Sequence, residues 1–399
     1  MCADRYRFTV GLAAGLLAGK ISLLPPSHTP EVVRHLATFA PDAFCLTDES
    51  DCGIALPQVR FPPERHSGGA WPPPSIARDA RLAYVFTSGS TGAPLPHPKT
   101  WGRVAQCVGG GAARLGLAAR PCTVLATVPP QHMYGFESSV LLPLQSGGAL
   151  CAERPFFPAD VCAALEALPR PRALVTTPIH LRALLASPIA IPEADLIVSA
   201  TAPLAEPLAA EAEARFRAPL IEIYGSTESG QLATRRPSRE ADWRLLPGVR
   251  LTLEDGQAWV RGGHLEQPTA MCDELEPLDA EHFRLHGRLA DLVNIAGKRS
   301  SLAYLTHQLN SIAGVLDGAF FLPEHAAPDG GVTRLAAAVV APGLETARII
   351  EELRRRIDPV FLPRPLLRVE RLPRNSTGKL PHEALRALAD GGRAAAQPS

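Results

Sequence analysis

The amino-acid sequence predicts an α/β protein in which a parallel sheet is flanked by helices. Short apolar runs alternate with helical patterns along most of the chain, as in repeated strand–helix units. Two of these runs, residues 173–178 and 196–201, enter a turn and then a helical pattern, as in a βαβ repeat. A chain of 399 residues is also long enough for one large domain and a smaller one.

The first elements follow from an apolar stretch at residues 10–24. It predicts a buried helix that ends in a short strand at residues 22–24. A signal sequence would look similar, but Lys20 interrupts the stretch, and no run reaches the roughly 20 apolar residues of a membrane span. An amphipathic helix over residues 30–40 and a strand over residues 43–46 follow.

The later elements alternate in the same way, separated by turns rich in proline and glycine. Residues 51–75 read as a surface connection, and residues after 391 as a disordered tail. Strands are predicted at residues 123–128, 173–178, 196–201, 219–224 and 335–340, antiparallel strands at 248–260, and helices at 101–117, 136–144 and 345–357.

Composition limits the class of function. The 40 basic and 40 acidic residues give a formal net charge of zero, so nothing indicates a nucleic-acid partner. The eight cysteines are scattered and form no Cys-x-x-Cys pair. Neither a zinc site nor a secreted disulfide framework is indicated, and we expect a reducing cytoplasm.

The most informative stretch is residues 86–99, Phe-Thr-Ser-Gly-Ser-Thr-Gly-Ala-Pro-Leu-Pro-His-Pro-Lys, which follows the apolar run 82–85. Its hydroxyls and exposed amides suit the oxygens of a polyphosphate, and glycine permits close backbone approach. A solvated Ser/Gly linker is the alternative. No Gly-Lys-Ser/Thr ends the loop, which disfavours an ordinary P-loop phosphotransferase.

The spacing of this stretch resembles the phosphate loop of the adenylate-forming enzymes, such as acyl-CoA synthetases and aryl-acid adenylating enzymes. Residues 223–228, Ile-Tyr-Gly-Ser-Thr-Glu, resemble the family's Tyr-Gly-x-Thr-Glu motif. Residues 287–293 and 297–299 resemble its Gly-Arg-x-x-Asp hinge motif, and residues 373–379 its lysine loop. Each match alone could be a plain turn, a surface ion pair or a solvated charge, but four in order would require four coincidences.

The resemblance implies a two-domain fold. Residues 1–290 would form a large AMP-binding domain of βα-layered sheets, and residues 291–399 a small, mobile C-terminal α+β domain that carries the catalytic lysine. The first subdomain looks shortened, because family members usually carry several tens of residues before the helix at 30–40. Either the start is trimmed or Met1 is not the true start.

The resemblance also assigns roles to residues in these motifs. The β- and γ-phosphates would be held by Thr87, Ser88, Gly89, Ser90, Thr91 and Gly92. The nucleoside would be bound by Ser199, Ala200 and Thr201 at one wall of the adenine pocket, by Tyr224 stacked on adenine beside Gly225, by Asp273 and Arg288 at the ribose, and by Arg299. The catalytic group would comprise Lys379 between the substrate carboxylate and the α-phosphate, Thr227 at the α-phosphate, Glu228 as Mg²⁺ ligand, and His132 beside the acyl pocket.

The reaction implied is ATP-dependent activation of a carboxylic acid to an acyl-adenylate with release of pyrophosphate. The acyl group would pass to a phosphopantetheine thiol, on CoA or on an acyl carrier protein. A relative that binds nucleotide or acyl-adenylate without turnover is the main alternative. Two residues depart from the family's pattern. Leu95 stands where members often have a lysine, and the nearest lysine is Lys99. Ala290 stands at the hinge position.

The residue beside His132 limits the range of possible substrates. Amino-acid-activating members place Asp there, whereas this chain has Met133, and an unpaired ammonium in an apolar pocket would be costly. Aryl or aliphatic carboxylates are therefore expected. The Pro-His-x-Lys-x-Trp-Gly pattern at residues 96–102 is similar to enzymes that prime aryl-polyene or xanthomonadin-type pigments, which favours a hydroxybenzoate-like or medium acyl substrate.

Overall fold

Helices and strands alternate along the chain, as expected. The computed structural model describes residues 1–2, 4–49, 52–62, 73–88, 94–288, 292–295, 298–323 and 334–374, together with residues 380, 384, 385, 387 and 388. The helices are α1 (Arg5–Leu17), α2 (Pro30–Phe39), α3 (Trp101–Arg114), α4 (Met133–Gly135), a π-helical turn (Phe136–Leu141), α5 (Leu142–Ser146), α6 (Pro158–Ala167), α7 (Pro178–Ala186), α8 (Glu206–Phe216), α9 (Leu302–Asn310), α10 (Thr346–Arg354) and a 3₁₀ turn (Pro359–Phe361). The strands are β1 (Ser22–Leu24), β2 (Cys45–Thr47), β3 (Gln58–Arg60), β4 (Arg81–Ser88), β5 (Pro94–Thr100), β6 (Thr123–Ala126), β7 (Ala149–Leu150), β8 (Arg172–Thr176), β9 (Leu196–Ser199), β10 (Leu220–Ser226), β11 (Gly230–Arg235), β12 (Trp243–Leu245), β13 (Val249–Glu254), β14 (Gln257–Gly262), β15 (Thr269–Ala270), β16 (Asp273–Pro277), β17 (His282–Arg288), β18 (Leu292–Ile295), β19 (Lys298–Ser301), β20 (Asp317–Phe321), β21 (Ala336–Val340) and β22 (Leu366–Arg368).

A nine-stranded sheet forms the centre, in the order β16-β17-β12-β11-β10-β9-β8-β6-β7. Strands β7, β6, β8, β9 and β10 are parallel, and the remaining pairs are antiparallel. Alternate residues of the parallel strands point to opposite faces. Leu125, Leu174 and Ile197 pack against α6, α7 and α8, and their neighbours Val124, Ala173 and Val198 against α1 and α3. Helices on both faces of the parallel half of this sheet confirm the predicted α/β class.

The first helix is present but differs in extent from the prediction. It runs from Arg5 to Leu17, because the Asp4 carboxylate accepts the amide of Arg7 at 2.7 Å and caps the start. Only one face is buried, and the side chains of Tyr6 and Leu17 are more than half exposed. The predicted strand at residues 22–24 is β1, which lies parallel to β4.

Arg5 anchors this helix to the central sheet. Its side chain is 1% exposed and donates to the carbonyl oxygens of Ala126 and Val128, at 3.0 and 2.9 Å, where β6 ends. It also donates to the Ser139 hydroxyl at 3.0 Å and to the carbonyls of two residues after β7, Cys151 and Glu153. Burial lowers the pKa of Arg5 to about 10, so the guanidinium stays charged at neutral pH.

Two predicted connections contain strands. Residues 58–60 of the expected surface connection form β3, parallel to β2. Residues 94–100 form β5, an edge strand antiparallel to β4, although three of its residues are proline. Only alternate residues of such a strand direct their amides at the neighbour, so prolines at every second position are compatible with pairing. The link between the two strands, residues 89–93, lies outside the described residues.

Residues from 292 onward form two further sheets, β18-β19 and β20-β21-β22. Strand β21 and α10 match the strand and helix predicted at residues 335–340 and 345–357, and β13 with β14 form the predicted antiparallel pair. Asp317 binds Arg374 at 2.7 Å and Arg182 of α7 at 3.3 Å. The domain boundary near residue 290 stays a prediction. Among the helices of the described ranges, none has the length and hydropathy needed to cross a membrane.

Candidate nucleotide-binding and active site

The carboxyl ends of β8, β9 and β10 lie side by side, which is where open α/β sheets bind ligands. The Tyr134 hydroxyl donates to the carbonyls of Thr176 and Val198, at 3.0 and 2.9 Å, and so fixes the ends of β8 and β9. Ser199 is fully buried, and its hydroxyl oxygen has no hydrogen-bond partner among the described residues. An orphaned buried hydroxyl is one mark of a site built for a ligand.

The segment predicted to form an adenine-pocket wall, Ser199 to Thr201, follows directly. Ala200 is 7% exposed, and Thr201 has φ 81°. A positive φ in a β-branched residue costs on the order of 1–3 kcal/mol and persists only where the surroundings fix it. Such strain is concentrated at functional sites, and the role of this segment at the adenine pocket stays a prediction.

Tyr224 lies at the end of β10, and its hydroxyl donates to the Asp273 carboxylate at 2.5 Å. Its ring is 9% exposed and contacts the rings of Trp243 and Phe283, with centroids 5.5 and 5.7 Å away. Asp273 is in turn the cross-strand partner of Arg288. Three residues assigned to the nucleoside therefore come together, although 64 positions separate the first from the last.

The turn from β10 to β11 carries Thr227 and Glu228. Glycine is required on both sides of it. A side chain at Gly225 would collide with the carbonyl of Gly230, and Gly230 itself has φ 71°. A register shift between Tyr224 and Gly225 redirects the strand just before the turn. The turn is thereby held tightly at the end of the strand.

Glu228 is held in its charged form although it is half buried. Burial raises the pKa of its carboxyl, but hydrogen bonds from its own amide and from Ser226, with the charges of His97 and Lys99, bring the pKa below its ordinary value. The His97 imidazole lies 3.6 Å from the carboxylate and 3.0 Å from the Thr87 hydroxyl. The His97 imidazole therefore lies within 4 Å of both Thr87, the first residue assigned to the phosphate loop, and Glu228, the predicted metal ligand.

His132 precedes α4 at the end of the loop that follows β6. Its carbonyl accepts the amide of Phe136 at 2.7 Å, and its side chain is partly exposed. Met133 beside it is 8% exposed. A side chain at Gly135 would collide with the carbonyl of Pro129, so the helix packs directly on the preceding loop. The histidine thus lies near the carboxyl end of β6, the strand next to β8.

A cavity of about 390 Å³ opens beside Glu228. Its lining includes His97, Lys99, Cys107, Glu137 and His264. Glu137 is 3% exposed and accepts a hydrogen bond from the Cys107 thiol at 3.3 Å. Burial raises the pKa of Glu137 to about 7, although the nearby Lys99 charge opposes the rise.

Several predicted residues cannot be placed. Gly89, Ser90, Thr91, Gly92 and Lys379 lie outside the described residues. Ser88, Arg288 and Arg299 are described only as backbone within β4, β17 and β19. Their roles stay predictions.

Three residues at the site were not assigned roles from the sequence: His97, Lys99 and Glu137. The two basic residues lie on β5, which was interpreted as part of a loop. Strand spacing places residues 97 and 99 on one face, and this spacing is the signal that could have indicated them. Glu137 stands alone in an apolar segment, and a lone carboxylate there was the available signal.

A family model described as AMP-binding enzyme matches residues 24–260, which span the phosphate loop, the Thr227–Glu228 turn and most of the central sheet. The chain belongs to this family. Two curated relatives are named 4-coumarate–CoA ligase. The one from Rhodobacter capsulatus is 30% identical over 284 residues, covering 71% of this chain and 69% of the relative. The one from Halorhodospira halophila is 31% identical over 301 residues, covering 74% and 73%.

Solved structures of similar fold include the o-succinylbenzoate CoA synthetase of Bacillus subtilis in complex with its acyl-adenylate, with TM-score 0.77 and 18% identity over 96% of this chain and 87% of that one. The anthranilate CoA ligase AuaEII in complex with anthranoyl-AMP gives TM-score 0.76 and 16% identity over 98% and 86%. At these identities the likeness concerns the fold. It confirms the predicted adenylate-forming fold, and the family match confirms the resemblance found in the motifs.

Proposed function

We propose that this chain uses ATP to activate a carboxylic acid as an acyl-adenylate, releases pyrophosphate, and transfers the acyl group to the phosphopantetheine thiol of CoA. Membership of the AMP-binding enzyme family and relatives named as CoA ligases support this reaction. The observation that carries most weight is the convergence of the Tyr224–Asp273 pair with the Thr227–Glu228 turn at the end of one strand. The proposal is supported because the residues assigned to the nucleoside and those assigned to the phosphates lie on adjacent backbone.

The chemistry explains why such groups are needed. A carboxylate oxygen forms a bond to the α-phosphorus of ATP while the bond to the bridging oxygen breaks and pyrophosphate leaves. Two anions must approach each other, so hydrogen-bond donors and cations are required. We assign Thr227 to the α-phosphate and Asp273 with Arg288 to the ribose. In the second step the thiol attacks the acyl carbonyl and AMP leaves.

Glu228 fits the role of a Mg²⁺ ligand because its carboxylate is half exposed and kept charged. Magnesium typically binds one or two carboxylates together with substrate phosphates. When bound, the ion would neutralise charge on the phosphate oxygens. Lys379 is proposed to supply the remaining cation between carboxylate and α-phosphate.

An aryl carboxylate is the proposed substrate class. The relatives named 4-coumarate–CoA ligase support it, and buried Met133 next to His132 offers no partner for the ammonium of an amino acid. A hydroxybenzoate-like acid and a carrier-protein acceptor remain finer proposals. We further propose that the protein acts in the cytoplasm, because all eight cysteines are free thiols.

Carboxylate-dependent exchange between ATP and pyrophosphate tests the proposal. A panel of hydroxylated aryl acids, aliphatic acids and amino acids should show exchange with aryl acids and Mg²⁺. Glu228→Gln should lower exchange by about a hundredfold while the melting temperature changes little. Glu254→Gln, which removes an exposed carboxylate in the β13–β14 hairpin, is the matched control. Nucleotide binding without exchange for any acid would instead support the non-catalytic alternative.

A further inference from the structure

Lys99 is a buried lysine whose side chain reaches the turn between β10 and β11. Its ammonium donates to the carbonyl oxygens of Thr227 at 2.5 Å and Glu228 at 3.2 Å. The residue is 9% exposed and lies on β5, opposite Ala83 of β4. A single side chain thus connects the strand that leaves the phosphate loop with the turn that carries the proposed metal ligand.

The Lys99 ammonium is buried close to acidic groups. Burial lowers the pKa of Lys99, but the carboxylate of Glu137 opposes the decrease most strongly, followed by Cys107, Glu228 and Glu266. An ammonium has three N–H donors, and the two carbonyls use two of them. Two of the three donors are therefore committed to the backbone of the turn.

The same strand contacts the turn a second time. His97 lies two residues before Lys99, hence on the same face of β5, and its imidazole is 3.6 Å from the Glu228 carboxylate and 3.0 Å from the Thr87 hydroxyl. Lys99 therefore holds the main chain of the turn, and His97 approaches its side chain.

We propose that Lys99 is a positioning residue that fixes the Thr227–Glu228 turn so that the Glu228 carboxylate is presented to Mg²⁺ and ATP. The inference rests on the function proposed above and extends it to a lysine to which the resemblance assigns no role. A compact ammonium suits two adjacent carbonyls, whereas the planar guanidinium of arginine would fit less well. Loss of these contacts should weaken the contribution of Mg²⁺ to nucleotide affinity rather than the affinity for nucleotide alone.

The test compares Lys99→Met, which keeps length and loses the donors, with Lys99→Arg and with the control Lys20→Met at an exposed position. Dissociation constants for a non-hydrolysable ATP analogue are measured by calorimetry with and without Mg²⁺. Wild type and Lys20→Met should bind more tightly with Mg²⁺. In Lys99→Met this gain should fall about tenfold, the effect of losing a charge-assisted hydrogen bond, while Mg²⁺-free affinity is unchanged. Lys99→Arg should recover part of the gain.

A double-mutant cycle with Glu228→Gln distinguishes positioning from general destabilisation. Without the carboxylate, Lys99→Met should reduce the Mg²⁺-dependent gain no further, whereas independent effects would add. If folded Lys99→Met kept the full Mg²⁺-dependent gain in affinity for the ATP analogue, the inference would be overturned. A loss of affinity for the analogue in the absence of Mg²⁺ would also overturn it, because that loss indicates direct contact between Lys99 and a phosphate. If Lys99→Met does not fold, Lys99→Gln, with one amide donor group, takes its place under the same criteria. No binding by wild type would overturn the proposed function itself, and the inference with it.

Discussion

Replacing Glu137 by glutamine should change how stability depends on pH. The folded protein holds the proton of this carboxyl more tightly than the unfolded chain, because burial raises its pKa from 4.5 to about 7. As pH rises between these values the unfolded chain loses its proton first, so the rise favours unfolding. The contribution of Glu137 to stability is therefore complete below about pH 4.5, is lost up to about pH 7, and is constant above.

The size of this effect follows from the same two values. The difference between 4.5 and about 7, at about 1.4 kcal/mol per pKa unit, corresponds to roughly 3 kcal/mol. Glutamine has nearly the shape of the protonated acid and does not titrate. The free energy of unfolding of Glu137→Gln minus that of wild type should therefore increase by roughly 3 kcal/mol from pH 4.5 to 7.5.

Urea unfolding followed by intrinsic fluorescence, at half-unit steps from pH 4.5 to 8, measures this difference. Titrating groups that do not interact with Glu137 contribute equally to both proteins and cancel. Glu266→Gln, which removes an exposed carboxylate from the lining of the same cavity, should keep the wild-type profile. Parallel curves for Glu137→Gln and wild type would refute the reasoning. If Glu137→Gln were less stable relative to wild type at pH 8 than at pH 4.5, the result would show that Lys99 keeps Glu137 charged.

Three further predictions concern the reaction. Tyr224→Phe should cost about 1–2 kcal/mol of stability and weaken ATP-analogue binding, because Asp273 loses its hydroxyl donor; unchanged urea midpoints and dissociation constants would contradict the pairing. Lys379→Ala should slow adenylate formation on the order of a hundredfold yet still transfer a synthetic acyl-adenylate to CoA, and equal loss of both half-reactions would exclude its assigned role. Residues from about 291 onward should rotate as a body between the two half-reactions. Structures with an adenylate analogue and with a thiol-linked analogue should therefore differ at the Arg182–Asp317 contact. Identical orientations of these residues in both structures would disprove the rotation.

The parallel strands could be predicted because burial on both faces leaves a nearly continuous apolar run. Leu125, Leu174 and Ile197 are each fully buried within such runs. Strand β5 could not be predicted, since prolines normally argue against pairing and only its edge position permits them. Strands β12 and β17 were also missed, although each alternates buried apolar residues with exposed charged ones, which is the pattern of a strand with one exposed face.

The residues of the candidate site also divide into those that the sequence could predict and those that it could not. Tyr224, Thr227 and Glu228 are adjacent in sequence, so a local motif identifies them. Asp273 lies outside these motifs and was assigned only through the family resemblance, and its cross-strand pairing with Arg288 explains why it belongs beside the hinge motif. The contact from Lys99 to the turn spans 128 positions, and no local pattern encodes such a meeting of two elements.

The anchoring of Arg5 bears on how shortened forms of the protein could be made. An amino-terminal deletion that keeps residue 5 retains the guanidinium, whereas one that removes it leaves the carbonyls of Ala126 and Val128 and the Ser139 hydroxyl without their donor. Each unsatisfied buried group costs about 1–3 kcal/mol, and the two carbonyls lie just before the loop that carries His132. Variants trimmed progressively from the amino terminus should therefore lose stability abruptly when residue 5 is removed.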